Sequence, residues 1–175
     1  IPECDYLEPL FFEELKKYVA DGGHLMVIGN ETTKLFEKEL GLKILSKVKD
    51  GETFIASNEK IGAIRSSYLN VELMPGVNTF SNFYLGSDFR KKGTGISSST
   101  NQMGKGLITG IYFDAGSAYQ KYKSPVLRDF INFHINELFP NPIVKVTGSR
   151  LIHLTINQLN GKLYVNLINV AGEHT

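Results

Sequence analysis

The stretch with most chemical potential in this chain is the short apolar run His24-Leu25-Met26-Val27-Ile28, followed at once by Gly29-Asn30 and a helical segment. Strand, tight turn and helix is the arrangement in which a nucleophile elbow holds its Ser or Cys. Here Asn30 and Glu31 stand where a G-x-S/C-x-G motif needs its nucleophile and second glycine. Acyl transfer therefore has no attacking atom at this turn. Cys4 is the single cysteine, and Glu3 and Asp5 flank it with negative charge that disfavours a thiolate, so it is expected to be inert. One cysteine also excludes an intrachain disulfide.

Asp114, Gly116, Tyr119 and Tyr122 lie just past an apolar run ending at Phe113, where open α/β sheets place their ligand crevices. They form the candidate ligand-binding site; the alternative is a polar turn whose tyrosines pack over the edge of the core. Met103-Gly104-Lys105-Gly106 has the look of a phosphate loop, but Ser99 stands where the first glycine belongs and Gly106 replaces the magnesium-binding Ser or Thr. It is rejected. His24, His134, His153 and His174 show no short ligand spacing, so no metal site is expected. No cofactor is expected either. Glu13-Glu14 falls on a helix exterior, where general acid/base chemistry has nothing to act on.

These residues must be carried by elements that the same sequence specifies. A chain of 175 residues with 42% hydrophobic and 21% charged content is long enough for a core, and its formal charge of +1 provides no general field for polyanions. Nucleic acid is therefore not an expected partner. Arg90, Lys91 and Lys92 beside Asp88 read as a solvated loop. Leu25 to Ile28 and Leu107 to Phe113 are far shorter than the ~20 apolar residues of a bilayer-spanning helix, so no membrane partner is expected. Ile1-Pro2, with neither Met nor the regions of a signal peptide, reads as a boundary made by cutting or processing. The compartment stays open, export of a parent chain to the periplasm or beyond being one option.

Pro9 suits the first turn of a helix, predicted over Pro9 to Ala20 and stopped by Gly22-Gly23. His24 to Ile28 then reads as a buried parallel strand. Asn30 is predicted to cap a second helix reaching about Leu40, with a strand over Leu42 to Val48. Gly51 to Leu85 reads as irregular antiparallel strands with turns at Asp50-Gly51, Ser57-Asn58 and Pro75-Gly76. Gly86 to Gly106, rich in Gly, Ser, Thr and Lys, is expected to be a long loop, mobile or closing over something. Leu107 to Phe113 is a strand, and Ser124-Pro125 opens a helix with Leu127, Phe130, Ile131, His134 and Leu138 on one face. Asn160-Gly161 favours a two-residue type I′ turn, pairing Ile156 with Val165 and Leu154 with Leu167 on a face expected to be core. His153, Thr155, Asn157, Tyr164 and Asn166 would line the polar opposite face, where water, a partner or a polar ligand could meet them.

Pro2-Glu3 with Leu15-Lys16-Lys17-Tyr18-Val19-Ala20-Asp21-Gly22-Gly23-His24-Leu25 resembles the L-x-x-Y-V-x-x-G-G-x-L segment of class I glutamine amidotransferase-like domains, among them the trimerisation domain of family 42 β-galactosidases. Gly104-Lys105-Gly106-Leu107, Tyr112-Phe113-Asp114-Ala115-Gly116 with Tyr119, Leu127-Arg128 and Leu138-Phe139-Pro140 resemble the later part of that domain in large bacterial glycoside hydrolases. The β-rich end containing Val165-Asn166-Leu167-Ile168-Asn169 is similar to the segment that succeeds the domain in those enzymes. The resemblance implies an α/β, flavodoxin-like, mostly parallel three-layer sheet over residues 1–141, its first strands lying before Ile1. Residues 142–175 would be an antiparallel hairpin beginning a further β domain. It also implies an accessory role in assembly or substrate approach, with the rest of a parent chain, a second copy of the chain and carbohydrate as partners. Two rival readings are a small hydrolase using Asp114 with a residue of the 86–106 loop, and a sugar-binding module using Tyr164 on the hairpin.

Overall fold

The computed structural model describes residues 1–57, 59–88, 90–91, 93–148 and 151–171. Lys92, Asn58 and His174 lie outside the described residues. Two compact units are present, Ile1–Pro140 and Asn141–Thr175.

In the first unit, α1 spans Pro9–Ala20, with Pro9 in its first turn and the Glu8 carboxylate accepting from Phe11 N–H at 2.9 Å. The strand β1 (His24–Ile28) follows, then the short α2 (Asn30–Leu35). Two long strands, β2 (Leu42–Ser57) and β3 (Lys60–Leu73), pair as an antiparallel hairpin. They are followed by β4 (Asn78–Phe83), β5 (Gly95–Met103), β6 (Gly106–Ile111), α3 (Ala115–Tyr122) and α4 (Pro125–Leu138). The main sheet has the order β1-β6-β5-β4, with β1 parallel to β6 and both other pairs antiparallel. It is thus a mixed sheet with one parallel pair, not the mostly parallel one expected. The reason is the 86–106 segment: its second half is the strand β5, which returns to β6 through the tight Gly104-Lys105 turn.

Alternation along the strands divides the core into two clusters. Leu25, Val27, Ile108 and Tyr112 pack with Val19 of α1, Phe36, Leu40 and the proximal hairpin residues Leu42, Leu69 and Val71. Ile111 and Phe113 pack with Leu127 and Phe130 of α4, Ala118 of α3 and the distal hairpin residues Ile55 and Ile64, joined by Met26 and Ile28. Alternate residues of β1 therefore point into different clusters, as expected of a strand covered on both faces.

Other expectations are corrected. Asp50-Gly51 is no turn: Asp50 (φ 50°) sits in a bulge where the β2–β3 register shifts, so the strand runs on to Ser57. The Ser, Thr and Asn residues of β5 looked loop-like because they are polar, yet Ser97, Ser98 and Ser99 are fully buried. Ser99 Oγ bonds the Tyr112 hydroxyl and Thr109 Oγ1 donates to Thr100 Oγ1 at 3.0 Å. Buried hydroxyls with partners are compatible with a core strand, and of the three serines only Ser97 Oγ has no partner among the described residues.

The second unit holds β7 (Ile152–Leu159) and β8 (Lys162–Asn169), paired antiparallel with Leu154 opposite Leu167 and Ile156 opposite Val165. Asn160 and Gly161 take positive φ values of 49° and 73°, as a type I′ turn requires. The register is as expected, but the core face is not: Ile156, Val165 and Leu167 are 39%, 41% and 58% exposed. Two strands alone bury neither face.

Candidate functional site

The carboxyl ends of β1 and β6 bring together three segments far apart in sequence, and Glu3 joins them from the N-terminus. After β1 the chain turns at Gly29, whose φ of 107° is costly for any residue with a Cβ. Asn30 then enters α2. It does not cap that helix as expected; its side chain is fully buried and turns toward β3, where Nδ2 donates to Ser67 Oγ at 2.6 Å and to the Ser67 carbonyl at 3.2 Å. The amide oxygen, Asn30 Oδ1, is buried with no donor among the described residues.

Capping of α2 falls instead to Glu3. Its two carboxylate oxygens accept from Glu31 N–H at 3.3 and 3.1 Å. Burial, opposed by those amide bonds, raises the Glu3 pKa above the ordinary carboxylate value, and the neighbouring charges of Asp114 and Glu31 push the same way. A side chain at Gly29 would collide with the Glu3 carboxylate, so the glycine serves close approach as well as the turn. The segment before and after Glu3 is held by backbone bonds. Ile1 N donates to Met26 O at 2.6 Å and Ile28 N donates to Ile1 O at 3.0 Å, which makes Ile1 a parallel neighbour of Val27. Cys4 N–H donates to Thr32 Oγ1 at 2.7 Å. The Cys4 thiol lies 3.6 Å from that same hydroxyl.

Past β6, Asp114 is the N-cap of α3: its Oδ1 accepts from Ser117 N–H at 3.0 Å, and its own N–H donates to Ser67 O at 3.4 Å. Sequence reading took this stretch as a candidate ligand site, with a polar turn as the alternative, and missed the helix; the signal available was Asp-x-x-Ser, an N-cap followed by its amide partner. Gly116 lies in the first turn. Tyr119 packs on the second core cluster with Lys123 Nζ 5.8 Å from its ring centre, and Tyr122 is 43% exposed at the far end of α3. Eight residues at 1.5 Å separate Tyr122 from Asp114 by roughly 12 Å along the helix. The structure therefore brings Asp114 to Glu3, Asn30 and Ser67, three residues that sequence reading did not assign to it, and does not bring Tyr122 there.

A second polar pair lies inside the sheet–α4 layer. His134 Nδ1 is 2.7 Å from the Phe130 carbonyl, which can only accept, so Nδ1 carries the proton. Nε2 is then bare and accepts from Ser98 O–H at 2.7 Å. Ser beside His has the elements of a nucleophile and base. Both are fully enclosed, and burial holds the His134 pKa down at about 4. No substrate reaches this pair. Among the described residues no group of three His, Cys, Asp or Glu could hold a metal ion, and no helix is long and apolar enough to cross a membrane. The Met103–Gly106 segment closes the β5–β6 hairpin, Met103 pairing with Gly106.

No family model matches the sequence, and no curated protein matches it. Its fold does match solved structures. A catalytic mutant of a GH42 β-galactosidase from G. stearothermophilus superposes with a TM-score of 0.61 at 16% identity, over 94% of this chain and 25% of that one. The β-galactosidase of Bacillus circulans sp. alkalophilus gives 0.66 at 13%, over 96% and 26%. α-L-Fucosidase isoenzyme 2 from Paenibacillus thiaminolyticus gives 0.70 at 13%, over 91% and 28%. At such identities the likeness is one of fold. The chain spans about a quarter of the length of these enzymes.

Proposed function

We propose that this chain is a non-catalytic accessory domain of a larger bacterial carbohydrate-active enzyme of the glycoside hydrolase type, serving assembly or shaping the approach of substrate. The observation that carries this reading is the corner after β1. Where an amidotransferase-like elbow would present a nucleophile to solvent, Asn30 is turned inward to Ser67 and the Glu3 carboxylate occupies the Glu31 amide. A negative charge at that position repels the oxyanion that acyl transfer would develop there. The amidotransferase-like and flavodoxin-like assignment is part of the same proposal. It is supported by the parallel β1–β6 pair, by helices α1 and α4 packed on opposite faces of the sheet, and by the retained strand–turn–helix corner.

The match to about a quarter of each glycoside hydrolase supports a parent chain as partner, with a separate domain for catalysis. A second copy of the chain and carbohydrate are the further proposed partners. The small-hydrolase alternative fares worse, because Asp114 Oδ1 is committed to capping α3 and the expected catalytic loop is largely the strand β5. The test is direct. Purified chain should show no turnover of glutamine or of aryl β-galactosides and α-fucosides. Activity that survives repurification and disappears in Asp114→Asn would overturn the reading.

A further inference from the structure

A different surface lies at the amino ends of β1 and β6, where α1 finishes beside the turn from β5 to β6. On α1, Glu13, Lys16, Lys17 and Ala20 follow at i, i+3, i+4 and i+7, which puts them on one face of the helix. The core face is another one, since Phe12, Leu15 and Val19 are the residues packed inward. The charged face forms one wall of a groove of about 560 Å³. Its other walls are Lys38 and Glu39, in the connection from α2 to β2, and Asn101, Gln102 and Met103, at the end of β5. These walls are bonded to one another. Lys105 N–H donates to the Ala20 carbonyl and Asn101 Nδ2 to the Glu39 carbonyl, both at 2.9 Å. Gly104, at a φ of 62°, lies so close to Ala20 that a Cβ would collide with its backbone. A groove of this size with joined walls is formed before any ligand arrives.

Its charges do not cancel among themselves. Three lysines and two glutamates line it, a net charge of +1. Glu13 is spent on Lys16, Oε1 to Nζ at 2.6 Å, and Lys16 also lies over the Phe12 ring at 4.9 Å. Lys17 and Lys38 come from different elements, and neither has an ion pair among the described residues. An ammonium group has three donors and no acceptor. The side-chain oxygens of Asn101 and Gln102 are acceptors, because it is their nitrogens that bond the Glu39 and Gly104 carbonyls. The groove therefore matches one negative charge, shared by Lys17 and Lys38, together with hydroxyls that donate to the Glu39 carboxylate and the two amide oxygens. A dianion would exceed the charge the groove can match. A neutral sugar would leave both ammonium groups to water.

We propose that this groove binds a hydroxylated monocarboxylate, of which a uronic acid is the sugar form, with the carboxylate held by Lys17 and Lys38 and the hydroxyls by Glu39, Asn101 and Gln102. The uronic acid as ligand rests on the accessory reading above; the anion groove does not. The experiment titrates D-galacturonate into isotope-labelled chain at pH 7 and low ionic strength, following the backbone amides of Ala20, Glu39, Asn101 and Gln102. Methyl β-D-galactopyranoside serves as the probe without a carboxylate and acetate as the probe without hydroxyls. Saturable shifts are expected with galacturonate. Two exposed ion pairs of about threefold each make it about tenfold tighter than the methyl galactoside, and Lys17→Gln and Lys38→Gln should each weaken it by about threefold. Acetate, which leaves Glu39 and the amides unused, should bind more weakly than galacturonate. Both lysines stand outside the two core clusters, so their variants keep the fold. Absence of saturable shifts with galacturonate would overturn the groove, as would an affinity unchanged in both lysine variants or equalled by the methyl galactoside. Acetate binding as tightly as galacturonate would reduce the groove to an unselective anion face and overturn the proposal too. These failures leave the accessory reading standing. Glycoside hydrolysis by the chain would refute that reading and leave the titration interpretable.

Discussion

His134 gives the sharpest energetic prediction in the molecule, because the cost of its burial can be read out by pH. The ring is enclosed between Ser98, Phe130, Phe80 and Phe133, and its folded pKa lies at about 4 against an ordinary 6.5. Between those two values the unfolded chain binds the proton and the folded chain does not, so stability falls as pH falls. The gap of about 2.5, at about 1.4 kcal/mol for each tenfold, amounts to about 3 kcal/mol in full and about 2 kcal/mol by pH 5. Glu3 works in the opposite sense, since its raised pKa relieves a destabilisation as pH falls. The measurement must therefore isolate His134. Urea unfolding from pH 8 to pH 4.5 on wild type and His134→Gln does so, because every other group cancels in the difference. The variant should be less stable at pH 8 and lose about 2 kcal/mol less than wild type on going to pH 5. Parallel pH profiles would show that the imidazole is not held neutral, and the tautomer deduced from Phe130 and Ser98 would fall with it.

Three further outcomes rest on burial and backbone geometry. Leu127→Ala, at a fully enclosed position on α4, should cost about 2–5 kcal/mol in denaturant titration, whereas Leu167→Ala on the exposed hairpin should cost under about 1 kcal/mol; equal costs would mean that the hairpin face is core after all. Gly29→Ala must adopt a φ of 107° and displace the Glu3 carboxylate, so it should lose at least about 2 kcal/mol and loosen exchange protection of the Glu31 amide; a near-neutral effect would refute the close approach. Asp114→Ala should cost about 1 kcal/mol as a lost N-cap, and Asp114→Asn much less; a larger loss with Asn than with Ala would point to the charge rather than the cap.

Much of the first unit was legible because local signals there coincide with tertiary demands. Pro9 and Gly22-Gly23 bracket α1, Ser124-Pro125 starts α4 with its hydroxyl on Leu127 N–H, and the five residues His24–Ile28 are β1 without a shift at either end. The NG turn fixed the β7–β8 register for a reason internal to two residues. Sequence reading failed where a residue's partner is remote. Ser98 looks like a loop residue until His134, 36 positions away, is placed against it. Asn30 looks like a helix cap until Ser67, 37 positions away, claims its amide and Glu3, from outside the helix, takes over the capping. The parallel expectation failed the same way: a polar strand between two apolar ones was unreadable as strand, and without β5 the sheet could not be seen to reverse direction.

The corner after β1 shows how a strand–turn–helix junction is tied to the rest of the fold. The positive φ at Gly29 is imposed by the sharp change from strand to helix and by the nearness of Glu3, so it persists whether or not a nucleophile comes next. The residue after Gly29 is free to change, and here it is an asparagine whose side chain ties β1 to β3 through Ser67. Ser67 in turn receives Asp114 from the end of β6, so one residue of the β2–β3 hairpin links the corners after both parallel strands. Asn30 thus serves cohesion between hairpin and sheet. The Glu3 carboxylate adds a further tie at the same corner, because it accepts from the Glu31 amide that opens α2.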